Sequence, residues 1–279
     1  MTDKSTLFFN KLKKAVETDQ LTLPTLPEVA IKIREAVESE SNSAQQIAEM
    51  LTQDASLTAR ILQVSNSPIY RARSQIDDLT TAIARLGIRV VRDLVICLSM
   101  KQIYQATSDL LDQQFRELWS TSVEVAAISR MIAGESSLNP EQALIAGLIH
   151  NIGALPVLKM AEDDAELSTD KAALNQLIKD IQGPVGELIL SFWNFPDHLI
   201  DVVSKWNTFN RQHNGPADYV DIVQIAILQS GHTQYSDAPE NWAQVPAFTA
   251  AGIEPDISII EVEENKIKID ETRQSLSVM

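Results

Sequence analysis

Apolar side chains recur every three or four residues along most of this chain, the spacing of helices that bury one face. From Pro27, the positions Val29, Ile33, Ala36 and Val37 fall on one side. A second helix is predicted after Asn42, where Ser43 and Gln46 have capping-box spacing ahead of Ile47, Met50 and Leu51. Asp54 is the expected N-cap of the next, which carries Leu57, Ile61, Leu62 and Val64 and stops at Asn66 and Pro68. Leu79 to Leu86 ends at Gly87, and Ile88 to Tyr104 follows with Val91, Leu94, Val95 and Leu98. The stretch from Ser108 to Ala133 is the longest, with a break expected near Phe115. Asn139 and Pro140 start another helix, proline being suited to a first helical position. Further helices are predicted over Pro156–Met160, Lys171–Ile181, Val185–Trp193, Pro196–Trp206 and Ala217–His232. No run of strand-like alternation precedes residue 255, so the fold class is all-α.

Two segments look peripheral. AEDDAELSTD at 161–170 holds five acids and no base, as a solvated loop would. The tail from Ile253 alternates apolar and charged residues without a helical stripe, and reads as a loosely held arm or an added strand.

The chain has 279 residues, 44% of them hydrophobic and 22% charged, which supports a packed core. Its formal charge of −15 opposes non-specific grip on nucleic acid or anionic lipid, so a nucleic-acid partner is not expected. Cys97, the single cysteine, excludes an internal disulfide and sits in the apolar run LVICLSM as a packing thiol. A reducing, cytoplasmic setting is the natural expectation. The N-terminus lacks the long apolar stretch of a signal peptide, and no run is read as a membrane span. With nine glycines the chain contains no G-x-G-x-x-G motif, no Walker A loop and no G-x-S-x-G elbow, which argues against the enzymes built on them.

The four histidines are His150, His198, His213 and His232, and none is three or four residues from another. His150 stands apart: it ends the apolar helix ALIAGLIHNIGALPVL, next to Asn151, with Gly147 and Gly153 permitting close approach. On residues alone it reads first as a core histidine bonded to a backbone carbonyl, and second as part of a site.

Several ordered blocks carry a resemblance. They are LPTLPEVA at 23–30, QDASLTARILQVSNSPIYR at 53–71, IDDLTTAIARLGIRVVRDLV at 76–95, LWSTSVEVAAISRMIA at 118–133, ALIAGLIHNIGALPVL at 143–158 and VGELILSFWNFP at 185–196. Together they resemble the HDOD family, the HD-related output domains of bacterial signalling, over about residues 20 to 235. The resemblance implies an N-terminal helical extension (1–19), an HDOD domain with an N-terminal helical part (20–105) and an HD-like part (106–235), and a partly flexible C-terminal extension (236–279).

It also implies a test for enzymatic activity. Active HD hydrolases hold a divalent metal with a histidine, a His-Asp pair and a later aspartate. By the motifs these positions fall at Thr121, at His150 with Asn151, and near Ile227; two further polar positions fall about Gln182 and at Lys205 with Trp206. One imidazole and one amide do not make a shell for a catalytic divalent ion, and Lys205 would bring positive charge toward the vacated site. The expectation is no catalytic residue, no metal and no cofactor.

Positive charge gathers at Arg60, Arg85, Arg89 and Arg92, beside Asn66. Helix-end capping and ion pairs with Asp54, Asp78 or Asp93 are one reading. The other is a groove comprising Arg60, Asn66, Arg89, Arg92, His150, Asn151 and Lys205. Arg71, Arg73, Arg89 and Arg92 are the expected exposed members, while Phe192 and Trp193 are expected to pack in the core. The function implied is a non-catalytic signalling module that binds a protein partner, or a small nucleotide-like regulatory ligand, without a membrane. The alternative is a divergent metal-dependent phosphohydrolase acting on a nucleotide or phosphate ester.

Overall fold

A computed structural model describes residues 3–17, 28–38, 43–67, 70, 75–103, 109–162, 164, 167, 169–193, 195–234 and 236–277. Among these the regular elements are helical and no strand occurs. In chain order they are α1 (Asp3–Glu17), α2 (Glu28–Glu38), α3 (Ala44–Leu51), α4 (Ala55–Ser65), α5 (Leu79–Leu86), α6 (Ile88–Ile103) and α7 (Asp109–Gly134). Then come α8 (Pro140–Ile149), α9 (Ala154–Glu162), α10 (Lys171–Phe192), α11 (Asp197–Lys205), α12 (Tyr219–Ser230), α13 (Pro246–Ala251) and α14 (Glu263–Ser277). Arg71, Arg73 and residues 23–27 of the first motif block lie outside the described residues.

The predicted caps form. Ser43 Oγ accepts from the Gln46 N–H (3.3 Å) while Gln46 Oε1 accepts from the Ser43 N–H (2.7 Å), closing the capping box of α3. Asp54 accepts from the Leu57 N–H at 3.0 Å, and Asn139 caps α8 with Pro140 at its start.

Two expected breaks are absent. Helix α7 runs unbroken past Phe115, whose side chain is buried. Helix α10 runs through Pro184, because its buried stripe (Leu177, Ile181, Val185, Ile189) keeps helical spacing on both sides of the proline. Burial of that stripe outweighs the hydrogen bond that proline removes.

The chain divides into two compact units. Residues 1–25 with 104–262 form one, in which α7 packs on α8 and α12, α10 on α9 and α11, and α1 on α10 and α9. Ser5, Phe8 and Leu12 are buried positions of α1, and Ser5 Oγ donates to Asp180 of α10. The stretch Pro140–Ala161 is long and apolar enough by composition to cross a membrane, contrary to the sequence reading, but most of it is buried inside this unit as α8, a turn and α9. Phe192, expected in the core, is 68% exposed, whereas its neighbour Trp193 is buried. Position 192 falls on the outer side of α10's last turn.

Residues 26–103 with 263–279 form the second unit. Here α2 packs on α3 and α6, and α5 packs on α3, α4 and α6. The expected loose arm or strand is instead mostly helix α14. Its buried residues are Asn265, Ile269, Thr272 and Leu276, spaced four, three and four apart. Two of the four are polar, so the stripe is invisible to a hydrophobic pattern.

Candidate functional site

Three elements of the 104–262 unit converge on the end of α8. The chain turns at His150–Gly153 with almost no room to spare: a Cβ on Gly153 would lie 1.9 Å from the Gln182 carbonyl oxygen on α10. One on Gly147 would lie 2.5 Å from Ala126 Cα on α7. These glycines let α8 and the turn press against α7 and α10, which delivers His150 and Asn151 into the interior.

His150 is buried, and its Nδ1 lies 2.6 Å from the Gly147 carbonyl oxygen. That oxygen can only accept, so Nδ1 carries the proton and Nε2 keeps its lone pair. Burial strips water from the imidazolium and, with a smaller push from the nearby His232, lowers the pKa from 6.5 to about 4 against the opposing Gly147 bond. The ring is neutral at neutral pH and meets Trp206 edge-on, with centroids 5.1 Å apart. It is thus a satisfied core histidine that also presents one bare nitrogen.

Asn151 is held from both sides. Its Oδ1 accepts from Ser122 Oγ at 2.9 Å, and its Nδ2 donates to the Leu118 carbonyl at 3.3 Å. Thr121, His150, Asn151, Gln182 and Trp206 line one cavity of about 40 Å³, with His232 and Glu117 also on its wall. The space suits roughly one water molecule. Trp206 Nε1 is buried and has no hydrogen-bond partner among the described residues.

Two positions depart from the sequence reading. Ile227 is fully buried in α12 and does not line this cavity. Lys205, expected to bring charge toward the site, is exposed and pairs with Asp201 one turn earlier at 2.5 Å, because the last turn of α11 points position 205 outward and Trp206 inward. The residues that reasoning from sequence missed are Ser122, next to the flagged Thr121, and Gln224. The latter donates from Nε2 to the Thr208 and Lys205 carbonyls, closing the end of α11.

A divalent metal finds no shell at this cavity. Among the described residues, the His, Asp and Glu side chains that converge within 4.8 Å of one another are His213, Asp218 and Asp221, and none of them lines it. That trio already has a cation and donors. Arg211 Nη2 lies 2.5 Å from Asp218 Oδ1 and 3.1 Å from Asp221 Oδ1, and His213 Nε2 lies 2.7 Å from Asp221 Oδ2. Asp218 also caps the N–H groups of Val220 and Asp221. Burial alone would raise the Asp218 pKa, but the Arg211 guanidinium and the Asp221 N–H hold it below the ordinary carboxylate value. This cluster secures the start of α12.

The arginines and Asn66 belong to the other unit. Asn66 clamps a loop: Nδ2 donates to the Ile76 and Leu62 carbonyls (both 2.7 Å) and Oδ1 accepts from the Ile76 N–H (2.8 Å). Arg92, expected to be exposed, is 22% exposed and pairs with the buried Asp93 at 2.5 Å. Its neighbour Arg89 is exposed, and Arg60 is half-buried on α4.

An all-helical HD-like domain, with a histidine–asparagine pair at the end of a buried helix, is the class that this fold and site define. The HDOD domain profile matches residues 23–209, and the chain belongs to the HDOD family. A crystal structure from Shewanella amazonensis SB2B, named "Putative metal-dependent phosphohydrolase", is 28% identical with a TM-score of 0.84, covering 99% of this chain and 100% of that one. A "Putative signal transduction protein" from Marinobacter aquaeolei VT8 is 19% identical with a TM-score of 0.65, covering 99% of this chain and 67% of that one. An uncharacterized protein of Treponema pallidum (strain Nichols) is 24% identical over 241 residues, which is 80% of this chain but 44% of the relative. The chain thus spans under half the length of that relative.

Proposed function

We propose that this chain is a non-catalytic signal-transduction module that works by binding a protein partner. The observation that carries the reading is the double hydrogen bonding of Asn151. Where an HD hydrolase uses a carboxylate on its metal, this chain has an amide whose oxygen is taken by Ser122 and whose nitrogen is taken by Leu118. The 40 Å³ cavity favours a protein partner over a nucleotide, since ligand pockets typically run to hundreds of Å³. Membership of the HDOD family and the name carried by the Marinobacter protein support a role in signalling.

The test is elemental analysis of protein grown with Mn, Fe or Zn, followed by assays on nucleotides, cyclic dinucleotides and a chromogenic phosphodiester. Substoichiometric metal and no turnover are expected. A tightly held ion, with turnover lost in His150→Ala, would overturn the reading in favour of a divergent phosphohydrolase.

A further inference from the structure

Two surfaces of the unit formed by residues 1–25 and 104–262 are opposite in charge, and both leave apolar side chains uncovered. Among the described residues the exposed large apolar side chains are Leu7, Phe192, Ile257, Val262 and Ile267. Leu7 belongs to α1, whereas Ile257 and Val262 belong to the segment that follows α13.

Helix α1 has two faces. Ser5, Phe8 and Leu12 are buried where it packs on α9 and α10. Leu7, Lys11 and Lys14, spaced four and three apart, make a second stripe; all three are exposed, Leu7 to 70%. From Lys4 to Val16 the helix holds four lysines and no acid, in a chain of net charge −15.

The stretch 253–264 is its counterpart, with five acids and no base. Glu254, Asp256 and Glu261 are exposed, as are Ile257 (52%) and Val262 (47%). The backbone here is pinned. The Ile253 N–H donates to the Phe248 carbonyl at 3.0 Å, Gln229 Nε2 of α12 donates to the Ile257 carbonyl at 2.9 Å, and the 3₁₀ turn Ile259–Glu261 packs on α12. The surface is therefore ordered before anything docks on it, which lowers the entropic cost of docking.

We propose that its occupant is a second copy of this chain, the Leu7–Lys11–Lys14 stripe of one copy lying on the Glu254–Val262 segment of another. Leu7 covers Ile257 and Val262, and the lysines meet Glu254, Asp256 and Glu261. Two chains of net charge −15 repel at long range, so a contact between copies has to join patches of opposite local charge, and these two qualify. None of these residues lines the cavity around His150, so failure of the contact leaves the signalling reading untouched.

The experiment is sedimentation velocity of the full chain at ~0.15 M salt, which screens the long-range repulsion. Association with a Kd of ~10–100 μM is expected, as for a small interface. Lys11→Glu with Lys14→Glu should weaken it by about tenfold or more, and so should Glu254→Lys with Asp256→Lys. The second pair reduces the net negative charge, so a generic charge effect would strengthen association instead. Mixing the two variants should restore it, because an acidic α1 then meets a basic segment and a basic α1 an acidic one. A chain with all four changes keeps the net charge of −15 and should associate within about threefold of the parent. Association that survives either reversal, or no recovery in the mixture and the four-change chain, would overturn the proposal. A parent that stays monomeric would also overturn it, and retention of that monomer on phosphatidylserine vesicles would assign α1 to a lipid surface instead.

Discussion

The hydroxyl of Ser122 donates to Oδ1 of Asn151 at 2.9 Å, while the Leu118 carbonyl, which can only accept, decides which way the amide faces. With the oxygen turned to Ser122, the NH₂ group is left to the Leu118 carbonyl. Helix α7 and the turn after α8 are stitched together by a group that must donate on one side and accept on the other. A carboxylate cannot do both.

Asn151→Asp should therefore destabilise the protein rather than restore a metal site. The new oxygen would face the Leu118 carbonyl, which loses its donor, at a cost of about 2 kcal/mol or more. Denaturant unfolding is expected to show the loss, and elemental analysis no gain of metal. Adding Thr121→His and Ile227→Asp should not help, since Ile227 does not line the cavity and a carboxylate there would be buried unpaired.

His150 makes stability fall with acid. Its pKa is about 4 folded against 6.5 for an ordinary histidine, so the unfolded chain binds its proton first. The contribution is fully present above pH 6.5 and is lost progressively down to about pH 4, amounting to roughly 3 kcal/mol. Chemical denaturation at pH 7 and pH 4.5 should show a steeper decline in the parent than in His150→Asn. Parallel declines would mean that the imidazole is not buried neutral.

Gly153→Ala should be among the most damaging single changes. Its methyl would sit 1.9 Å from the Gln182 carbonyl, so α10 or the turn must move, at a cost of about 3 kcal/mol or more. At Gly134, by contrast, an added Cβ meets nothing within 4 Å. Gly134→Ala at the end of α7 should be neutral or slightly stabilising. Thermal unfolding of the two variants side by side checks the contrast.

Arg89 and Arg92 should behave differently when each is changed to glutamate. Arg92→Glu places a second carboxylate beside the buried Asp93 and should cost about 2–3 kcal/mol. Arg89→Glu lies on the exposed side of α6 and should stay within about 1 kcal/mol. Equal losses would give Arg89 a structural role of the same weight.

Leu276→Ala in α14 should cost about 2–3 kcal/mol, since this side chain and Ile269 are the aliphatic contacts of the helix's buried stripe. Hydrogen exchange should locate the loosening in residues 26–103 and α14. Exchange confined to the last turn would mean that the helix is held mainly through Asn265 and Thr272.

Much was legible in the order of residues because it rests on local rules. The all-α class, the caps at Ser43, Asp54 and Asn139, and the close approach at Gly147 and Gly153 follow from spacing, hydrogen-bonding side chains and the missing Cβ. So does the placing of His150 and Asn151 at the end of a buried helix. Tertiary structure decided what local rules cannot reach. Packing carried α10 through Pro184, and a half-polar stripe folded α14 onto residues remote in sequence. It turned Lys205 outward to Asp201 and bound Arg92 to Asp93. Each of these depends on partners distant along the chain, or on which side of a helix turn a side chain leaves. A hydrophobic pattern records that a face is buried, but not what lies against it.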